Sequence, residues 1–213
     1  TRLRHNVVFY SEELNLLMNH GREIMAMFYP AVKNREFVPY FQPKVDMRTK
    51  EIVGGEALVR WLHPTMGIIS PGRFIPVLEK NGLIIAVDFE IWTQIFAWIS
   101  KRLKEGKRVV PISINISRMH AFDPVFKERL IDLSEKYKVP PSLVVLELTE
   151  STFLNNTDAM FRSMQELRDY GFSLSMDDFG TGYSSLNMIS SLPIDALKLD
   201  MYFIRDAFKD GGN

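Results

Sequence analysis

The sequence predicts an α/β domain built on a parallel sheet, and three observations carry that prediction. Strand-like and helix-like stretches alternate from Phe37 onward. Leu143-Val144-Val145-Leu146 is the near-continuous aliphatic run expected of a buried parallel strand. A chain of 213 residues, 46% apolar, is long enough to bury a substantial core.

The first 36 residues read as a leading helix, because Leu14, Leu17, Met18, Ile24, Met25 and Phe28 fall at spacings that draw one apolar stripe. Pro30 either ends this helix or kinks it, since Ala31, Val32 and Lys33 can continue the turn. Such a segment either packs on the core or links to an upstream domain. Residues 38–45 and 52–61 then read as a strand pair, followed by helices near 72–81 and 87–105. The pattern continues with strand 109–116, helix 124–137, strand 143–148, helix 158–170, strand 172–176, a short helix at 184–190 and strand 196–199. Six strands with intervening helices fit either an open doubly wound sheet or a (β/α)8 barrel, whose full form needs about 250 residues. The pattern alone does not separate the two.

Charge and composition narrow the function. With 26 basic and 26 acidic residues the net charge is zero, so no global positive field draws nucleic acid or an anionic membrane. Neither DNA nor membrane contact is expected of this segment, and any anionic ligand must be gripped locally. The absence of cysteine removes thiolate nucleophiles and thiolate metal sites and suits a reducing compartment, so a metal must be held by oxygen or histidine. No apolar run approaches the roughly 20 residues needed to span a bilayer. A start at Thr1, without a basic segment leading into an apolar one, reads as an excised piece with no secretion signal. A cytoplasmic location is expected, with any membrane anchor lying upstream.

Polar residues recur at the carboxyl ends of successive strands, the functional rim of a parallel sheet. Asn115 ends Val109-Val110-Pro111-Ile112-Ser113-Ile114, Glu147 ends Val144-Val145-Leu146, Asp177 and Asp178 follow Leu174-Ser175-Met176, and Lys198 interrupts Ala196-Leu197-Leu199. Glu56 lies inside the second strand, after Gly54-Gly55. Oxygen ligands of this kind suit Mg²⁺ or Mn²⁺ rather than zinc. Adjacent aspartates allow one carboxylate to bridge two ions about 3.5–4 Å apart that clamp a phosphodiester and activate water. Any one of these carboxylates alone reads equally as a helix cap, and it is their convergence that points to phosphoryl chemistry. The stretch from Asp177 to Ser185 adds Gly180 and Gly182, which permit close backbone approach, although alone it is an ordinary strand-to-helix turn capped by Ser184. His5, His20, His63 and His120 share no metal-ligand spacing, and Trp61, Trp92 and Trp98 read as packing residues.

Gly55-Glu56-Ala57-Leu58-Val59-Arg60-Trp61 resembles the signature of the EAL domain family, bacterial phosphodiesterases acting on cyclic di-GMP. Further family motifs follow in order: Tyr40-Phe41-Gln42-Pro43, Ser70 to Pro76, Ile114-Asn115-Ile116-Ser117, Glu147-Leu148-Thr149-Glu150-Ser151, Asp177 to Ser185 and Leu197-Lys198-Leu199-Asp200. The resemblance implies a modified (β/α)8 TIM-type barrel with an antiparallel first strand, occupying residues 37–213 behind a helical connector at 1–36. It implies that Glu56, Asn115, Glu147 and Asp177 hold one ion, that Asp177 and Asp178 hold a second, and that Lys198 orients the attacking water. Gln42 and Arg60 become substrate contacts, and Glu150 steadies the 177–185 loop beside a homodimer contact. The implied product is linear pGpG, and the implied upstream neighbour is a signalling domain such as a diguanylate-cyclase-like one.

The family pattern continues past Lys198 with two more strands, one carrying a glutamate thought to serve the second metal and the attacking water. This sequence does not contain them, so the barrel is expected to be C-terminally incomplete, with turnover depending on the missing segment. The rival expectation is a receptor or interaction module that keeps the ligand pocket and loses turnover, although every metal-ligand position up to Lys198 is present.

Overall fold

A computed structural model of the chain describes residues 12–150, 152, 158–179 and 193–200. Helix α1 covers Glu12–Lys33 with Pro30 inside it. The proline removes one backbone hydrogen bond, but Ile24, Phe28 and Ala31 are all buried in the core, and that packing carries the helix through.

The strands are β1 (Phe37–Val45), β2 (Ile52–His63), β3 (Gly67–Ile69), β4 (Ile112–Asn115), β5 (Val144–Thr149), β6 (Ser173–Phe179) and β7 (Ala196–Leu199), with helices α2 (Pro71–Lys80), α3 (Ile84–Lys104), α4 (Phe126–Tyr137) and α5 (Asp158–Tyr170). They form one sheet in the order β1-β2-β4-β5-β6-β7, with β3 paired to β2. β1 runs antiparallel to β2, and the rest of the path from β2 to β7 is parallel. This is the architecture expected, a TIM-like barrel with an antiparallel first strand, partial in this chain. The β1–β2 turn is closed by Asp46, whose Oδ1 accepts the backbone N–H groups of Arg48 and Thr49 at 2.8 Å each.

Two elements differ from the sequence expectation. β3 has only three residues, too few to show a period, and it forms because Gly67, at φ +70°, turns the chain back onto β2. The expected strand 109–116 shrinks to Ile112–Asn115, because Pro111 offers no N–H to the ladder and pairing begins at Ile112 against Gly55. The short helix expected at 184–190 lies outside the described residues.

Register gives the sheet two unlike faces, because side chains alternate along a strand and paired residues share a face. Glu56 pairs with Gln42 and with Ser113, Asn115 with Glu147, Glu147 with Ser175, and Thr149 with Asp177. That face is polar. The other carries Trp61, Ile112, Ile114, Val144, Leu146 and Leu174, all buried in a single core with the helices. Trp61, Phe37 and Phe74 meet there with ring centroids 4.9–5.7 Å apart, each burial contributing roughly 1.5–3 kcal/mol. The aliphatic run at 143–146 is thus alternating in space, with Val144 and Leu146 buried and Val145 half-buried. Among the described residues no helix is long and apolar enough to cross a membrane.

Candidate functional site

The polar face converges on one lysine. Lys198, on β7, donates from Nζ to Oε2 of Glu56 at 3.0 Å, Oε2 of Glu147 at 3.0 Å and Oδ2 of Asp177 at 2.7 Å. These three acids come from β2, β5 and β6, and each offers an oxygen within 4.8 Å of the others. Three negative charges this close repel strongly unless a cation sits among them. Here an ammonium does so at hydrogen-bond distance, which shows that the cluster accepts a cation. An all-oxygen donor set suits a hard divalent ion, so the residues fit Mg²⁺ or Mn²⁺. Burial works against the charge on Lys198, but its hydrogen bonds to Asp177, Glu56 and Glu147 outweigh it and push the ammonium's pKa up.

Glu147 is the centre of the cluster and is 1% exposed. Its second oxygen is also taken: Lys44 of β1 donates to Glu147 Oε1 at 2.5 Å and to Ser113 Oγ at 2.6 Å. Sequence reasoning missed Lys44. The signal was available, since Lys44 lies two residues beyond Gln42 and therefore shares its strand face.

The remaining expected residues take distinct places. Asn115 is exposed at the end of β4 in register with Glu147. Asp178 adopts φ +56°, and its backbone N–H donates to Asp177 Oδ1 at 2.8 Å. Partial burial raises the Asp178 pKa, the charges of Asp177, Asp200 and Glu56 add to that, and Lys198 opposes it. Gln42 stands opposite Glu56. Arg60 shares that face, donates to the Val59 carbonyl at 2.8 Å and lies 5.9 Å over the Tyr40 ring. Glu150 is buried, while most of the loop it was expected to steady, and with it the expected dimer contact, lies outside the described residues.

Beside the acidic cluster, between the sheet and helices α2 and α3, is a cavity of about 430 Å³. Arg60 and Asn115 stand on its lining, Ile91 and Trp92 contribute apolar wall, and Glu79 and Asp88 contribute carboxylates. Asp88 accepts from His120 Nε2 at 2.9 Å, and Glu79 accepts from Ser117 Oγ at 2.8 Å. His120, expected to be surface or structural, is structural: it is 1% exposed and stacked between Trp92 and Phe126 at 4.8 and 4.9 Å.

Fold and site together define a class, a TIM-like barrel whose carboxyl rim carries an acidic cluster able to hold a metal ion. The chain belongs to the EAL domain family, whose model matches residues 25–213. It is 31% identical over 207 residues to the bifunctional diguanylate cyclase/cyclic di-GMP phosphodiesterase MucR of Pseudomonas aeruginosa, covering 97% of this chain and 30% of that protein. It is 36% identical over 177 residues to the "Probable cyclic di-GMP phosphodiesterase PdeG" of Escherichia coli, covering 82% of this chain and 34% of that protein. The chain thus spans about a third of these relatives. Among solved structures, the PaMucR phosphodiesterase in complex with c-di-GMP superimposes with a TM-score of 0.81 at 33% identity, covering 88% of this chain and 76% of that one.

Proposed function

We propose that this domain hydrolyses one phosphodiester bond of cyclic di-GMP to give linear pGpG. The observation that carries the reading is the convergence of Glu56, Glu147 and Asp177 around one cationic position, in a chain related to named cyclic di-GMP phosphodiesterases. Mg²⁺ or Mn²⁺, held by these three acids with Asn115 and with Asp178 at a second position, would supply Lewis-acid polarisation of the phosphodiester and an acidified water near neutral pH.

The chain's own residues do the rest. Lys198 orients the attacking water and offsets negative charge developing on the phosphoryl oxygens. Arg60 suits a pair of phosphate oxygens, which a planar guanidinium meets with two parallel hydrogen bonds, and Gln42 contacts substrate from the same face. The adjoining cavity falls in the size range of small-molecule sites. Its apolar wall accommodates a flat base, and the carboxylates of Glu79 and Asp88 can accept from the N–H donors on guanine's edge. Glu150 steadies the loop after β6, the domain works as a homodimer in the cytoplasm, and a diguanylate-cyclase-like domain precedes it. The name of the MucR relative supports that last part.

The test is chromatography of cyclic di-GMP incubated with the protein and Mn²⁺ or Mg²⁺, with a chelator control. Metal-dependent appearance of pGpG is expected. Binding of intact cyclic di-GMP without product replaces hydrolysis with the receptor reading, and absence of both overturns the two readings together.

A further inference from the structure

Glu147 is served by two lysines, one on each oxygen, and the two are not equivalent. Lys198 shares its ammonium among Glu147, Glu56 and Asp177, so it occupies the position that any cation held by these three acids must take. Lys44 stands behind the cluster. Its ammonium is fixed by Glu147 Oε1 and Ser113 Oγ, and its strand, β1, is separated from β5 by β2 and β4 in the sheet. The side chain therefore crosses the polar face to reach Glu147.

We propose that Lys44 is a positioning residue that holds Glu147 as a one-oxygen ligand, with Oε1 retained by the lysine and Oε2 presented to the ion shared with Glu56 and Asp177. The inference rests on the metal-site reading above and adds to it a residue outside the ligand set. Its physical basis is the freedom of a carboxylate about its last torsion, which is broad and roughly two-fold. With Oε1 tied to an ammonium that Ser113 also holds, that rotation is stopped. Two effects oppose each other when Lys44 is removed. Loss of a positive charge relieves repulsion of an incoming cation. Loss of the anchor frees the carboxylate and leaves a buried charge whose one remaining ammonium partner is Lys198, which then competes harder with the ion for Oε2. Because Glu147 is almost wholly buried, and a buried carboxylate is strongly disfavoured without a partner, the second effect prevails. Partners that orient metal ligands in this way typically change metal affinity by about 10- to 100-fold when replaced.

The experiment titrates Mn²⁺ alone into wild type, Lys44→Met, Lys44→Arg and Glu147→Ala, reading free Mn²⁺ by electron paramagnetic resonance, with thermal unfolding of each metal-free protein alongside. Wild type binds Mn²⁺, and Glu147→Ala loses that binding. Lys44→Met binds about 10- to 100-fold more weakly with an altered bound-Mn²⁺ spectrum, and Lys44→Arg recovers at least part of the affinity. Unchanged Mn²⁺ affinity and spectrum in Lys44→Met, whatever its unfolding temperature, overturns the positioning role and leaves the metal site standing. No Mn²⁺ binding by wild type, or undiminished binding by Glu147→Ala, overturns the metal-site reading itself and the role of Lys44 with it.

Discussion

Two carboxylates, buried Glu147 on β5 and half-buried Asp88 on α3, are partnered by the chain in different ways. Glu147 receives two lysines from distant strands, β1 and β7. Asp88 receives one histidine at 2.9 Å, itself stacked between Trp92 and Phe126 with Phe89 at its edge, and the backbone N–H of Ser117. Two ammoniums thus face the carboxylates of the interior face at close quarters, a polar arrangement suited to binding a further ion. The Asp88 pair is a single polar link between the aromatic cluster around His120 and the cavity that Asp88 lines.

The largest expected effect separates these roles. On the proposed function, Glu147→Ala removes a metal ligand, and hydrolysis is expected to fall by about 10³-fold or more, since metal-ion stabilisation of the transition state is worth several kcal/mol. The fold survives, because the stranded lysine side chains are 35% and 31% exposed and reach water. His120→Ala does the reverse. It empties a slot between two aromatic rings and leaves Asp88 without its side-chain hydrogen-bond partner, a loss of about 3 kcal/mol or more that lowers the unfolding temperature by roughly 6 °C or more in a domain of this size. Activity assays and unfolding scans of both variants check the contrast. A folded but inactive His120→Ala, or an active Glu147→Ala, breaks it.

The sequence made the site more legible than its support. Glu56, Glu147, Asp177 and Lys198 stood out because functional polar residues at successive strand ends break an aliphatic pattern, and the structure brings all four together. Lys44 escaped because a lysine near the end of an edge strand reads as solvated surface, and the face it shares with Gln42 does not by itself show that its ammonium lies beside an acid 103 positions away. The His120–Asp88 link escaped for the same reason, the two residues being 32 positions apart on different elements. Of the fold, the long alternating strands and amphipathic helices were readable, whereas β3 was too short to carry a period and Pro30 left the end of α1 open, because tertiary packing rather than propensity decides it.

A smaller effect tests whether the Asp88 carboxyl responds to pH where the Lys198 ammonium does not. Burial raises the Asp88 pKa above its ordinary 3.8, the charge of Glu79 adds to this, and His120 and the Ser117 N–H oppose it. A carboxyl group that holds its proton more tightly when folded contributes stability fully present below pH 3.8 and lost as the pH rises through the folded value. Asparagine does not titrate. The stability of wild type relative to Asp88→Asn therefore falls as the pH is raised from about 4 toward 7, read as urea midpoints across that window. Lys198 adds no slope there, because its raised value keeps its contribution constant until the pH exceeds 10.5. A relative stability that rises with pH breaks the assignment of Asp88 as the titrating partner.

The smallest effect belongs to a third acid–base pair, Lys127 on α4 with Glu166 on α5, which joins two helices at the surface. Its geometry is at least as close as that of the buried pairs, and hydrogen bonding to Glu166 pushes the Lys127 pKa up. Geometry is nevertheless a poor guide here. Exposed pairs gain little in water, lose side-chain entropy on forming and are screened by salt. Lys127→Ala is therefore expected to unfold within about 2 °C of wild type at 0.15 M salt. Set beside His120→Ala, this contrasts an exposed pair with a buried one, since both substitutions remove the side-chain partner of a carboxylate. A loss in Lys127→Ala as large as that in His120→Ala means that contact alone decides what a pair is worth, and the distinction between Glu147 and Asp88 must then rest on chemistry rather than environment.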